Sequence, residues 1–276
     1  MPIRSDLSFA NAEELYEGYL RRSWWFAWYR LRAYLCLFYF GFFLVLSYPF
    51  FRWALARPQR YPLAHRCRRF WARSIAWIFG LRIRLEGGIP DGLKKTVVVA
   101  NHFSYLDIPV LVAALPMDLH FVAKSELLRI PLLRDFFGST DIAIPRHSAQ
   151  GSLKAYEQCG AMLNPGSAVV VFPEGGIWGV APRMAAFKVA PFGMALQQGV
   201  TLLPVSLPDT WKLLPECPRH FLRPGLCRVR LLEPVDTATL YPGGQEADYK
   251  ALKNLCYQRI QSDLNELHPS KPAHES

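Results

Sequence analysis

His102 and Asp107 stand five residues apart in the run NHFSYLD, which follows directly on the apolar run TVVVA. An imidazole and a carboxylate form the base and orienter of many hydroxyl-activating sites: the carboxylate fixes the ring's tautomer and supports the imidazolium that forms when the ring takes a proton. On one continuous helix, positions five apart point about 140° away from each other and do not pair. Pairing therefore predicts a loop at His102 and a helix that starts near Ser104, so that Asp107 folds back onto the ring. The same run also fits a helix capped by Ser104 beside a structural histidine. No Ser sits in a nucleophile elbow, so a hydroxyl activated by His102 would be the substrate's own. That chemistry is direct transfer to an alcohol.

A second constellation follows the run AVVVF, which leads into PEGG. Pro173 sets a turn, Glu174 offers a carboxylate acceptor, and Gly175 and Gly176 allow a ligand to approach backbone that a side chain would cover. Taken by itself the run also reads as a tight turn.

Both constellations need a strand that delivers them to a common edge. From Arg82 onward, short β-branched runs alternate with longer helical segments, which predicts an α/β fold with a mainly parallel central sheet flanked by helices. Strands are expected at Arg82–Leu85, Thr96–Ala100, His120–Ala123, Ile142–Ile144, Ala168–Phe172, Thr201–Ser206 and Arg228–Leu232. Helices are expected at Tyr105–Leu115, Lys124–Phe137, Ala149–Leu163, Ala186–Gln198 and Ala247–Leu267. Asn101 and His102 then fall at a strand's C-terminal end, where open α/β sheets collect their sites. HPSKPAHES at the end reads as a loose tail.

The first 81 residues differ from the rest. Of the 276 residues, 51% are hydrophobic and 20% charged, with mean hydropathy +0.07, which excludes a disordered chain and a bundle of spanning helices. The net charge of +10 is local: thirteen Arg and no Asp, Glu or Lys lie between Glu17 and Glu86, leaving 19 basic against 22 acidic residues elsewhere. A broad cationic face for nucleic acid is therefore not expected. Six of the eight Trp share that stretch, and Trp with Arg around apolar runs is a membrane-interface composition. Ala33 to Phe51 is uncharged for 19 residues, roughly 28 Å as a helix, marginal for a bilayer core of about 30 Å. Basic flanks on both sides, a shorter apolar piece at Phe70–Leu81 and prolines Pro49, Pro58 and Pro62 between them favour a hairpin that dips into one leaflet. A single span and an ordinary core hairpin are the alternatives. The division expected is 1–81, a membrane-associated helical region, and 82–276, an α/β domain. The six scattered Cys show neither zinc-finger nor disulfide spacing, so a reducing compartment is expected, and the polar N-terminus does not read as a signal peptide.

In this order and about 70 residues apart, the two motifs resemble the glycerolipid acyltransferase family, the group of bacterial 1-acylglycerol-3-phosphate acyltransferases, over roughly Arg82 to Asp209. Asn101, His102 and Asp107 match the family's N-H-x-x-x-x-D block, whose His is the base and whose Asp orients it. Phe172, Pro173, Glu174 and Gly175 match F-P-E-G. Arg146, in STDIAIPR, takes the place of the basic residue that binds the acceptor's glycerol-phosphate, Lys124 matches a family lysine upstream of it, and Pro204 in LLPVS matches the closing block. One departure concerns the substrate: Gly176 and Ile177 stand where the family has Thr-Arg, so an acceptor phosphate would lean on Arg146 and on Lys188 or Arg183. FKVAP replaces the usual F-K-x-G-A.

The resemblance implies an O-acyltransferase on the cytoplasmic face of the inner membrane. It would move a fatty acyl group from acyl-CoA or acyl carrier protein to the free hydroxyl of 1-acyl-sn-glycerol-3-phosphate, giving phosphatidic acid, with no metal or redox cofactor. Catalysis falls to His102 and Asp107. Substrate contacts fall to Asn101, Lys124, Arg146, Glu174, Gly175, Arg183 and Lys188, with amides near PEGG facing the oxyanion. Anionic lipids of the bilayer complete the partners. A lysolipid with another headgroup, a catalytically silent membrane-binding relative and a hydrolase with the same His-Asp pair are the competing readings.

Overall fold

The structure is a computed structural model. It describes residues 23–89, 95–129, 131–144, 155, 159–160, 162–163, 166–178, 180–216, 221–240 and 245–269. Two antiparallel helices come first: α1, Ser23–Leu55, and α2, Tyr61–Ile78, joined by a 3-10 turn at Pro58–Arg60. Pro49 lies inside α1, not in the connection. The turn beyond it is held by burial of Phe51, Ala54 and Leu55 against Ala64 and Phe136, which outweighs the lost backbone hydrogen bond. α1 also begins well before Ala33, because its early Trp and Arg residues tolerate a helix that their mixed hydropathy does not announce.

The α/β part follows as β1 (Leu81–Glu86), β2 (Thr96–Ala100), α3 (Asp107–Ala114), β3 (Asp118–Lys124), α4 (Pro131–Phe137), β4 (Ile142–Ile144) and β5 (Ser167–Val171). Then come α5 (Ala190–Gln197), β6 (Thr201–Ser206), α6 (Thr210–Leu213), β7 (Gly225–Leu231), β8 (Val235–Asp236), α7 (Thr237–Leu240) and α8 (Glu246–Leu267). The sheet order is β1-β7-β6-β2-β5-β3-β4, with β8 beside β6. Pairings are parallel except β6 with β7 and β6 with β8. β1 and β7 therefore run against β6, β2 and β5, and their N-terminal ends share an edge with the C-terminal ends of those three strands.

The helix expected over Lys124–Phe137 is broken. β3 runs on to Lys124, Ser125–Arg129 is a 3-10 turn, and α4 starts only at Pro131, since a proline is tolerated in a helix's first turn and not in its interior. α3 begins at Asp107, not near Ser104, and α5 at Ala190, not Ala186. β8, α6 and α7 are short elements that no periodicity announced. The helix expected over Ala149–Leu163 lies largely outside the described residues.

β2 and β5 are buried along their whole length, the condition under which unbroken β-branched runs form central parallel strands. Alternate residues serve two cores. Val98, Ala100, Val170, Leu203 and Val229 face Ala33, Ile75, Phe79 and α3, while Val97, Val99, Val169 and Val171 face Phe192, Leu196 and the α8 residues Leu252, Ile260 and Leu264. α1 and α2 thus share a core with the sheet. The five described cysteines are free thiols.

Candidate active site

Where β2 ends, three consecutive residues are each tied to a different part of the chain. The fully buried Asn101 accepts from the Leu207 N–H at 2.7 Å and donates from Nδ2 to the Leu207 carbonyl at 3.1 Å, joining the ends of β2 and β6. Both ends of its amide are thus held by the Leu207 backbone, and the side chain is buried. The His102 N–H donates to Glu174 Oε1 at 2.7 Å. The loop then turns under Asp107, whose Oδ2 accepts from the N–H groups of Phe103 and Ser104 at 2.8 and 2.9 Å. The same oxygen lies 2.9 Å from His102 Nδ1. That crowding of donors explains why α3 starts at Asp107: its carboxylate folds back over the loop that carries the histidine. Ser104 Oγ closes the loop, accepting from the Leu106 N–H and donating to the Leu214 carbonyl at 2.7 Å.

With Nδ1 held against a carboxylate, the ring proton sits on Nδ1 and the lone pair on Nε2. The ring stacks on Phe172, 4.1 Å between centroids and 17° between planes, and its side chain remains 15% exposed. Asp107 is fully buried, and its Oδ1 has no hydrogen-bond partner among the described residues. The site thus presents one basic nitrogen at the sheet edge, oriented by a carboxylate and steadied by an aromatic face.

Glu174 is also buried. Its second oxygen accepts the Ala185 N–H at 2.8 Å, so one carboxyl clamps the histidine loop to the segment 184–188. Burial pushes its carboxyl up to about 7, against the two N–H donors that hold it down. The sign follows from linkage. The native state keeps a proton that the unfolded chain, with its ordinary pKa of 4.5, releases, so this group's contribution to stability rises as pH falls from 7 to 4.5. The buried His65 and His120 and the half-buried His268, whose pKa values desolvation lowers, work in the opposite direction. The expected result is therefore a difference: on going from about pH 8 to about pH 5, wild type gains thermal stability relative to Glu174→Gln. Parallel melting curves of the two proteins across that range would contradict it.

Gly175 has φ +77°, and a Cβ there would come within 2.8 Å of Lys188 Cε and Nζ. Lys188 lies across the PEGG turn, its own N–H bonded to the Pro173 carbonyl at 2.9 Å. Arg183 is exposed on the same irregular segment. Lys124 closes β3 opposite Ile144, and Arg146 lies outside the described residues. The structure therefore brings His102, Asp107, Glu174, Gly175 and Lys188 together and puts Asn101 directly behind them. Leu207 and Ala185 carry no sequence signal, because each contributes only backbone. Trp178, 61% exposed, donates from Nε1 to the Glu174 carbonyl at 3.2 Å beside Gly176; a lone Trp two residues past PEGG was the available hint. Among the described residues, no three His, Cys, Asp or Glu side chains are grouped to hold a metal ion.

Residues 82–208 match the family model described as Acyltransferase. The 1-acyl-sn-glycerol-3-phosphate acyltransferase of Chlamydomonas reinhardtii is 33% identical over 58% of this chain, and the chain spans about half that protein's length, 48%. The lyso-ornithine lipid O-acyltransferase of Pseudomonas aeruginosa is 26% identical over 69% of this chain and 80% of its own. Among solved structures, the 1-acyl-sn-glycerophosphate acyltransferase of Thermotoga maritima has a TM-score of 0.66 at 23% identity, covering 88% of this chain and 98% of that one. That likeness is one of fold: a mainly parallel α/β sheet behind a long apolar N-terminal helix. The His-Asp loop and the PEGG turn both lie inside the stretch that matches the family model.

Proposed function

We propose that the protein transfers a fatty acyl group from an acyl thioester to the free glycerol hydroxyl of 1-acyl-sn-glycerol-3-phosphate, giving phosphatidic acid. The observation that carries this reading is the His102–Asp107 pair at 2.9 Å at the sheet edge, which leaves Nε2 without a hydrogen bond to any described residue. The acceptor's hydroxyl gives its proton to Nε2 as its oxygen forms a bond to the thioester carbonyl carbon. The imidazolium, balanced by Asp107, then protonates the sulfur as the C–S bond breaks. Glu174 and Asn101 act as positioning residues, holding the backbone on either side of the ring. Lys188, Arg183 and Arg146 are the cations proposed for the acceptor phosphate. Relatives named for this activity, such as the algal protein, support the reading.

One observation favours a second reading, a lysolipid with another headgroup. Gly176 and Ile177 follow Gly175, and a similar bacterial protein is named for a lyso-ornithine lipid. Membranes containing the protein, given radiolabelled acyl donor and a panel of lysolipids, separate the two. Label in phosphatidic acid supports the first, and label only in an aminolipid overturns it in favour of the second.

The membrane is the proposed site of action, with α1 lying on a leaflet instead of crossing it. Its 33 residues extend about 50 Å and are fastened to the α/β part at both ends. Tyr29 meets Phe221 at 5.0 Å at one end, and Phe51 meets Phe136 at 4.8 Å at the other. Between them Phe38, Phe42, Val45 and Leu46 are 55–70% exposed along the outer side, suited to insertion among acyl chains. Thiols introduced by Ser23→Cys and Arg57→Cys, at the two ends of α1, are expected to react with a membrane-impermeant maleimide from the same side of sealed vesicles. Reaction from opposite sides would mean a span.

A further inference from the structure

The open edge of the sheet carries an arginine strip that the proposed reaction does not use. In β1, Ile83 and Leu85 pack toward the core beneath α1 and α2, so the alternating Arg82 and Arg84 face the other side of the sheet, both exposed. In the neighbouring β7, Cys227 and Val229 face that same core and Arg228 and Arg230 lie with the strip. The two strands carry different roles. Arg228 is committed inward, to Asp209 at 2.6–2.7 Å, and Arg230 to Asp263 at 2.8 Å and Glu86 at 3.3 Å. Arg84, 69% exposed, shares Glu86 at 3.3 Å, and Arg82 stands beyond it toward the start of the strand. The committed pairs leave the outer strand cationic.

Its place relative to the site follows from register. Ser206, the last residue of β6, opposes Arg230, and the chain beyond it runs backwards along β7 until Asp209 meets the Arg228 N–H. The first half of β7, and with it Arg82 and Arg84 of β1, therefore rises past the edge where His102 sits. Three strand spacings, about 14 Å, separate β1 from β2. The strip faces away from α1 and α2, so an anionic leaflet under those helices does not reach it. It is a strand face two strands wide, suited to a protein contact, whereas a small anion is usually held in a cleft.

We propose that Arg82 and Arg84 dock an acidic carrier protein that delivers the acyl thioester, approaching from water while the lysolipid arrives from the bilayer. This rests on the acyl-transfer reading above, with the carrier-protein donor that the sequence resemblance already implies, and adds the surface that receives it. Docking precedes the chemistry, so the strip governs donor capture and leaves the bond-making step alone.

The test uses the full chain in lipid vesicles, with 1-acyl-sn-glycerol-3-phosphate as acceptor and the same fatty acyl group supplied either on acyl carrier protein or on coenzyme A. The double substitution Arg82→Glu with Arg84→Glu is expected to raise KM for the carrier-protein donor by about tenfold or more. Its kcat, and both constants for acyl-CoA, stay within about twofold, which also reports that the variant is folded. The charge-conserving pair Arg82→Lys with Arg84→Lys retains most of the wild-type KM, and higher salt narrows the gap between wild type and the reversed variant. An unchanged KM for the carrier-protein donor, an equal loss with both donors, or a wild-type protein that uses acyl-CoA and ignores the carrier protein would overturn the proposal. Transfer from neither donor to any lysolipid would instead overturn the acyl-transfer reading, and this inference with it.

Discussion

His102→Ala is expected to lower kcat for acyl transfer by about 10²- to 10⁴-fold, with KM for either substrate changed far less. Nε2 is the basic atom of the His-Asp pair, and it acts only as the acceptor's O–H bond breaks. The loss should therefore appear in the chemical step and not in binding. The fold should survive. The ring stacks on one face of Phe172 and is partly exposed, while the loop around it is held by backbone hydrogen bonds that alanine keeps. Single-turnover kinetics on vesicle-bound protein reads the effect directly. A variant that transfers at the wild-type rate would remove His102 as the base.

The second large effect is expected from Asp107→Asn, which separates charge from geometry. In the wild type one oxygen, Oδ2, takes all three donors: the ring Nδ1 and the N–H groups of Phe103 and Ser104. An asparagine whose amide oxygen occupies that place keeps the loop's hydrogen bonds. What disappears is the negative charge that balances the imidazolium, so kcat is expected to fall by about 10²- to 10⁴-fold. The amide nitrogen would occupy the place of Oδ1, which is buried and has no partner, at a cost to stability of about 1–3 kcal/mol. The informative outcome is the combination of a protein that still melts cooperatively with one that scarcely turns over. Asp107→Ala, which also frees two backbone N–H groups, should lose more stability than Asp107→Asn. If Asp107→Asn turned over normally, the carboxylate would be serving the loop alone.

Some of this architecture could be read before any coordinates and some could not, for identifiable reasons. The strands Thr96–Ala100, Ile142–Ile144 and Thr201–Ser206 fall where the β-branched and apolar runs place them, because burial in a parallel sheet leaves an unbroken apolar signature. The helix expected from Lys124 begins only at Pro131 because helical periodicity continues through a proline that a helix interior does not accept. In the site, the His-Asp spacing conveyed its chemistry, since pairing at five residues demands a loop, and the loop is there. The backbone partners of Asn101 and Glu174 were not legible, for one reason. An amide or a carboxylate at a strand end looks the same whether it meets a ligand or a backbone. What decides the matter is a partner 106 residues away for Asn101 and 72 for Glu174. Contacts made by backbone at such separations leave no mark in side-chain type. Lys188 over Gly175 belongs to the same class, for it depends on an irregular segment where a helix was expected from Ala186.

The geometry of acceptor capture is the most direct test of the whole account. An experimental structure of the protein with 1-acyl-sn-glycerol-3-phosphate bound is expected to place the free glycerol hydroxyl about 2.6–3.2 Å from His102 Nε2, on the side of the ring away from Asp107. An acceptor whose hydroxyl rests elsewhere, with its phosphate against the ring or with Nε2 sealed from it, would contradict the role assigned to the histidine.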